Sequence, residues 1–206
     1  MVAPTQQQVY SPEQYSPEQY SPEQYSPEEY LALEETATEK SEFWGGERIP
    51  MTGGRSATHN EIAGNVYTLL KLALRQQPYK VFIGDVRLWI PDCQLFTYPD
   101  VMAIAGEPGF YEGRSDTVMN PCLIVEVLSK STRNYDQGDK FDGYRTMPEF
   151  QDYVLVDQYQ MQVKHFAKTD DGNWLLKEYG DKSQRLTLAS VMFGLSLAEI
   201  YEDITF

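Results

Sequence analysis

The sequence has little cysteine and histidine and no long apolar segment. Its two cysteines, Cys93 and Cys122, lack the spacing of a zinc site, and we interpret them as small buried thiols in a reducing cytoplasm. No apolar run approaches the roughly 18 residues needed to span a bilayer. The N-terminus also lacks the basic and apolar stretches of a secretory signal. These absences predict a cytoplasmic protein without a membrane partner.

Basic residues are also scarce, since 17 lysines and arginines face 31 acids, for a net charge of −14. This charge argues against a simple nucleic-acid binder, because contact with phosphate requires lysine and arginine. The charge is uneven, however. Residues 1–42 hold nine acids and one base, whereas four acids balance four bases between Glu126 and Arg145. The second segment is therefore less acidic than the chain average.

A pentapeptide repeat occupies residues 10–29, with Tyr-Ser-Pro-Glu-Gln three times and then Tyr-Ser-Pro-Glu-Glu. Each unit carries helix-start signals, namely a serine N-cap, a proline and an acid. Only the last copy leads into helix-forming sequence, which predicts Ser26 as the N-cap. We interpret residues 1–25 as a flexible repeat arm and residues 26–206 as one domain.

The remaining pattern predicts an α/β fold with a mixed sheet flanked by helices. Gly45-Gly46 predicts a hairpin over 43–50, and a capping box from Thr58 predicts a helix that ends before Pro78. The polar stretch 106–120 is typical of a surface loop. Further predicted elements are strands over 81–90, 99–105, 122–128, 153–157, 162–167 and 174–179, and helices over 136–147 and 197–201.

Three ionisable residues stand on neighbouring elements of this pattern. Asp100 precedes an apolar run, Glu126 sits inside another, and Lys140 lies on the helix that follows. A carboxylate within a buried strand is costly unless it has a partner, a proton or a metal. Two such acids and a lysine suit phosphodiester hydrolysis, in which the acids hold a divalent cation and the lysine orients or stabilises the attacking water. Pro91-Asp92 also matches the Pro-Asp pattern of Asp100, but it stands at a predicted turn.

Three segments together resemble a known family. They are Tyr98-Pro99-Asp100-Val101, the stretch Asn120 to Ser129 and Tyr135-Asp136-x-Gly138-x-Lys140. They resemble the Uma-type restriction endonuclease family of the PD-(D/E)XK nuclease superfamily, and the resemblance covers residues 26–204. It implies a restriction-endonuclease-like fold and cleavage of DNA with Mg²⁺ or Mn²⁺.

The resemblance also assigns roles to residues of this chain. Asp100 and Glu126 would be metal ligands, and the backbone carbonyl of Val127 could add a third oxygen. Mg²⁺ prefers oxygen ligands and usually takes one or two carboxylates. Many nucleases of this superfamily act as dimers, so a homodimer is expected by resemblance alone.

The chain departs from the superfamily motif at Leu128, where Glu-x-Lys would place lysine. The resemblance moves that role to Lys140. The alternative for Lys140 is a surface pair with Asp136, worth about 0.3–0.5 kcal/mol. Lys130 is a rival, although about 13 Å of strand separates it from Glu126.

Several accessory residues keep two interpretations. Glu42 is either a further acid near the metal or a solvated acid, and many nucleases of the superfamily carry such an acid on the first helix. His59 contacts phosphate or the site, or is only a polar residue at a helix start. Tyr144 is interpreted as a packing aromatic. The alternative for Asp100 and Glu126 is an edge acid or a buried salt pair, for instance of Glu126 with Arg145.

Two other functions stay open. The acidic charge and Leu128 favour a non-catalytic binding or regulatory module on the same fold. A nuclease directed at RNA rather than DNA is the third possibility.

Overall fold

The computed structural model describes residues 24–51 and 56–206. Residues 1–23 of the predicted repeat arm lie outside this part. The helices are α1 (Pro27–Glu34), α2 (Ala57–Ala73), α3 (Arg133–Gln137), α4 (Asp139–Tyr144) and α5 (Leu197–Ile200). The strands are β1 (Ser41–Trp44), β2 (Glu47–Pro50), β3 (Tyr79–Ile83), β4 (Arg87–Ile90), β5 (Leu95–Thr97), β6 (Val101–Ala105), β7 (Thr117–Val118), β8 (Leu123–Leu128), β9 (Asp152–Asp157), β10 (Val163–Lys168), β11 (Trp174–Tyr179), β12 (Arg185–Leu188) and β13 (Phe193–Ser196).

The starts of α1 and α2 follow from local capping. Ser26 caps α1 as predicted, because its hydroxyl accepts from the Glu29 N–H while the Glu29 carboxylate accepts from the Ser26 N–H. The predicted start of α2 at Thr58 is wrong, since the Ser56 hydroxyl accepts from the His59 N–H and caps the helix two residues earlier. Among the helices that the structure describes, none is long and apolar enough to cross a bilayer.

The central sheet has six strands in the order β11-β10-β9-β8-β6-β3. Its only parallel pair is β8 with β9, and α3 and α4 lie in the connection between them. Alternate residues of a strand face opposite sides of the sheet. One face packs against α2 through Ile62, Val66 and Leu70, and the other against α4 through Phe141 and Tyr144. The predicted mixed sheet flanked by helices is therefore confirmed.

Two predicted elements are broken in the structure. The predicted strand over 81–90 is wrong, because Gly84, with φ +65°, turns the chain and sends β4 into a second sheet. That sheet has the order β2-β1-β5-β4-β7, and β7 lies within the predicted loop over 106–120. The predicted helix over 136–147 is also wrong, since it splits at Gly138 into α3 and α4. A side-chain carbon at Gly138 would lie 3.2 Å from the Asn134 carbonyl oxygen.

Candidate active site

Asp100 and Glu126 face each other where β6 and β8 meet. The antiparallel register pairs Val101 with Val125, and one further step sets Asp100 opposite Glu126. The Asp100 N–H donates to Glu126 Oε2 over 3.2 Å, and the Val127 N–H donates to Asp100 Oδ2 over 2.8 Å. Both carboxylates are buried. The structure thus brings the two predicted acids side by side.

Lys140 reaches the same place from α4. Its Nζ lies 3.0 Å from Glu42 Oε1, 3.3 Å from Glu126 Oε1 and 3.3 Å from Asp136 Oδ1. We call these four residues the acid–lysine cluster. The alternative of a surface pair is wrong, because the Lys140 side chain is only 6% exposed and the contact with Asp136 is one of three.

Burial and mutual charge shift the pKa values of this cluster. Burial, together with the charges of Asp100 and Asp136, raises the pKa of Glu126 to about 8, although Lys140 and a hydrogen bond from Tyr144 oppose the shift. Burial also raises the pKa of Asp136. Burial alone would lower the pKa of Lys140, but the carboxylates of Glu126, Glu42 and Asp136 outweigh it and raise this pKa well above its ordinary range. Lys140 is therefore an ammonium ion at neutral pH.

Tyr144 does more than pack. Its ring lies in the apolar cluster between α4 and the sheet, and its hydroxyl donates to Glu126 Oε1 over 2.8 Å. Arg145 is the wrong partner for Glu126, because it pairs with Asp142 at 2.7 Å. The buried salt pair that was the alternative does exist, but with Lys140. The position that the superfamily motif gives to lysine holds Leu128, which is buried in the same apolar cluster as Tyr144.

Glu42 lies on β1 rather than on the first helix. It is 5% exposed, accepts a hydrogen bond from the Thr97 hydroxyl and contacts Lys140. The solvated-acid alternative is therefore wrong.

Sequence reasoning missed Thr97 and undervalued Asp136. The helical spacing of Asp136 and Lys140 was a usable signal for Asp136, whereas nothing in the sequence pointed to Thr97.

The two remaining accessory residues differ in position. His59 is buried, and its Nε2 lies 3.0 Å from Asp100 Oδ1. It therefore belongs to the site. Lys130 is exposed, and its Nζ stands 5.3 Å from the centre of the Tyr159 ring. Lys130 lines the cavity that opens over the site, whereas Lys140 is the lysine that contacts Glu126.

This cavity has a volume of about 590 Å³. One wall is the apolar end of β2, at Ile49 to Met51, and another is the hydroxyl-bearing loop from Ser129 to Thr132. Within the loop the Ser129 hydroxyl is 3.0 Å from that of Ser131 and 2.9 Å from that of Thr132. The acids thus line a space that can admit water and a ligand.

The donor set fits a magnesium ion. Asp100 and Glu126 supply carboxylate oxygens, and the backbone of Val127, whose N–H donates to Asp100 Oδ2, lies beside them. In the described parts of the chain, no three Asp, Glu, His or Cys side chains form a metal cage by themselves. Mg²⁺ needs no such cage, because it keeps several waters and takes one or two carboxylates. Burial is the main cause of the raised pKa of Glu126, and the negative charges of Asp100 and Asp136 add to it.

The comparisons with known proteins agree with this architecture. The family model of Uma2, described as "Putative restriction endonuclease", matches residues 27–199. An uncharacterised Synechocystis protein, sll1609, is 48% identical over 145 residues, which are 70% of this chain and 81% of that protein. A second, slr1290, is 37% identical over 175 residues, or 84% and 89% of the two chains.

A solved structure has the same fold. It is the crystal structure of an Anabaena variabilis protein described as a "putative nuclease belonging to DUF820", with a TM-score of 0.69 and 15% identity. The match covers 84% of this chain and 95% of the other. Together with the family match over most of the chain, this fold identifies the protein as a member of the Uma2 family, with a nuclease-like fold.

Proposed function

We propose that this protein is a divalent-metal-dependent nuclease that hydrolyses DNA phosphodiester bonds. The observation that carries the proposal is the meeting of Asp100, directly before β6, with Glu126 on β8, and the Lys140 ammonium 3.3 Å from Glu126. Membership of a family described as restriction endonucleases supports the reaction class. The description of the Anabaena protein as a nuclease supports it as well.

The proposed metal ligands are Asp100, Glu126 and the carbonyl of Val127. When bound, Mg²⁺ would polarise the phosphodiester and lower the pKa of a water molecule. The pKa of Lys140 lies far above neutrality, so this residue cannot accept the proton of the water. Its ammonium would instead give up one of its three carboxylate contacts and donate a hydrogen bond to the attacking water or to the phosphate oxygen on which charge develops.

The neighbours of Lys140 hold its ammonium in place before substrate arrives. Glu42 and Asp136 contact it from two sides, and Tyr144 holds the shared oxygen of Glu126. Three acids around one amine leave little rotational freedom for the lysine side chain. Fixed donors of this kind are effective because they need no reorganisation during the reaction.

The nucleic acid would contact residues at the mouth of the cavity. Lys130 is exposed there, next to the hydroxyls of Ser131 and Thr132. These groups can meet phosphate oxygens without reading base edges. Competition between DNA and RNA of the same sequence tests the choice of DNA, and light scattering in solution tests the homodimer that the resemblance implies.

The test of function is nicking of supercoiled plasmid with Mg²⁺ or Mn²⁺. We expect Asp100→Asn and Glu126→Gln each to abolish nicking, and EDTA to do the same. Asp92→Asn is the matched control, because Asp92 is the exposed acid of the other Pro-Asp pair and lies outside the cavity. Nicking that persists in both site variants would contradict the assignment.

A non-catalytic module is the second candidate, favoured by the net charge of −14 and by Leu128. Calorimetry with Mn²⁺ distinguishes the nuclease from the non-catalytic module. We expect the wild type to bind Mn²⁺ at millimolar concentration or below, whereas absence of binding favours the module.

A further inference from the structure

We propose that His59 is a positioning residue, held by Gln158 in the tautomer whose Nε2 donates a hydrogen bond to Asp100. The inference rests on the proposed function, in which Asp100 is a metal ligand. It concerns a residue that would not touch the metal or the substrate but would set the orientation of the carboxylate that does.

The orientation of the Gln158 side-chain amide is fixed by its neighbours. One atom of the amide lies 2.9 Å from the Leu128 carbonyl oxygen. A carbonyl can only accept, so this atom is the nitrogen. The amide oxygen accepts from the Ser56 hydroxyl at 2.5 Å. Turning the amide over would bring two oxygens together at Leu128, which excludes the alternative orientation.

The orientation of Gln158 determines where the proton of His59 resides. The same amide nitrogen lies 3.5 Å from His59 Nδ1. One of its hydrogens goes to Leu128 and the other faces the imidazole, so Nδ1 is an acceptor and the ring proton is on Nε2. Nε2 lies 3.0 Å from Asp100 Oδ1 and donates to it. A proton on Nδ1 would instead point at the N–H of the amide.

The backbone and burial of His59 strengthen this arrangement. The His59 N–H donates to the Ser56 hydroxyl over 3.0 Å, so Ser56 caps α2 and orients Gln158 at once. The His59 side chain is 7% exposed, which leaves its ring little contact with water. Asp100 then receives the imidazole on Oδ1 and the Val127 N–H on Oδ2. A donor on each oxygen sets the plane of the carboxylate.

Two substitutions of His59 distinguish the effect of its hydrogen-bond donor from the effect of its size. In His59→Gln the amide nitrogen can reach the position of Nε2, whereas in His59→Asn it reaches only that of Nδ1. We expect calorimetry with Mn²⁺ to give nearly wild-type affinity for His59→Gln. For His59→Asn we expect affinity lower by about 10- to 100-fold, as for other partners that orient metal ligands. Equal affinity of the two variants, whether high or low, would overturn the role of the donor.

The tautomer can be observed directly in the metal-free wild type. The chain has two histidines, so a ¹⁵N spectrum of the imidazoles contains two spin systems, which His59→Gln assigns by removing one. We expect the spectrum to show the tautomer with its proton on Nε2, and the opposite tautomer, with the proton on Nδ1, would overturn the proposal. This spectrum needs no metal, so it remains decisive if the wild type binds no Mn²⁺, a result that would contradict the proposed function itself.

Discussion

Lys140 Nζ lies 3.3 Å from Glu126 Oε1, although the two residues stand on different elements, 14 positions apart. Glu126 and Leu128 point to the same face of β8, and α4 covers that face. The helix can therefore deliver an ammonium to Glu126 while Leu128 stays in the apolar core. The covering helix thus brings a cation to Glu126, and we propose that it takes the role that the superfamily motif gives to a strand lysine.

Replacing Lys140 by alanine should abolish nicking and destabilise the protein. The change leaves Glu42, Glu126 and Asp136 without the cation that they share. Breaking a buried pair in this way costs about 3–5 kcal/mol, measurable as a lower free energy of unfolding in urea at neutral pH. Lowering the pH should restore part of the lost stability, because protonation of the acids removes their charge.

Lys130→Ala is the control for this loss. Lys130 is exposed, and a change of this kind stays within about 0.5 kcal/mol. Equal stability of the two alanine variants would contradict a buried role for the Lys140 ammonium.

Tyr144→Phe should shift the pH dependence of nicking upward. The hydroxyl of Tyr144 donates to Glu126 and lowers its pKa. Without this hydroxyl Glu126 binds its proton more tightly, so its pKa rises. The part of the pH–rate profile that reflects ionisation of Glu126 therefore moves to higher pH. A hydrogen bond to a charged group is worth about 1.5–3 kcal/mol, enough for a measurable shift.

The matched control is Tyr201→Phe, since the Tyr201 hydroxyl has the carbonyls of Asp157 and Gln162 as acceptors for its one hydrogen and is absent from the cavity lining. It should lower stability and leave the profile unchanged. A profile that moves in both variants, or in neither, would exclude a specific effect of Tyr144.

The stability of the metal-free protein should fall as the pH rises, through Glu126. Its pKa is raised from 4.5 to about 8 on folding, so the folded state holds a proton that the unfolded state releases. This contribution is complete below pH 4.5 and is lost between pH 4.5 and 8, by at most about 1.4 kcal/mol per pH unit. Urea unfolding in EDTA measures it, and Glu126→Gln should give a flatter curve. Parallel curves for the two proteins would contradict the raised pKa.

The two cysteines should differ in their reaction with iodoacetamide. Burial raises the pKa of Cys122 to about 11, so it carries almost no thiolate at pH 8. Burial also raises the pKa of Cys93, but this side chain is half-buried. Mass spectrometry should find Cys93 modified first and Cys122 only after unfolding. Faster modification of Cys122 would contradict its burial.

The sequence alone was sufficient where the signal was local. The capping box at Ser26 and the glycine turn of the hairpin over 43–50 depend on neighbouring residues, and both appear as predicted. The strand bearing Glu126 was also predictable, because it is an apolar run with one acid in it. The position of Asp100 beside it follows from the same pattern once the two strands pair.

Other features depended on tertiary packing. The split of the predicted strand over 81–90 sends its halves into different sheets, and an apolar run does not encode which sheet it joins. Glu42 reaches Lys140 only because β1 pairs with β5, so its role could not be read from its neighbours in sequence. Gln158 acts through one amide at the end of β9, and a single glutamine carries no sequence signal at all.

A change in the connection between β8 and β9 can disrupt the site without disrupting the sheet. This connection carries Asp136, Lys140 and Tyr144, while the strands that it joins are paired along their whole length. An insertion in the loop from Ser129 to Thr132 would leave all the residue pairs between β8 and β9 intact. It would still change the position of α4. Such a chain would retain its sheet and its two facing acids yet lose the contact of the Lys140 amine with Glu126, and with it the reaction that we propose.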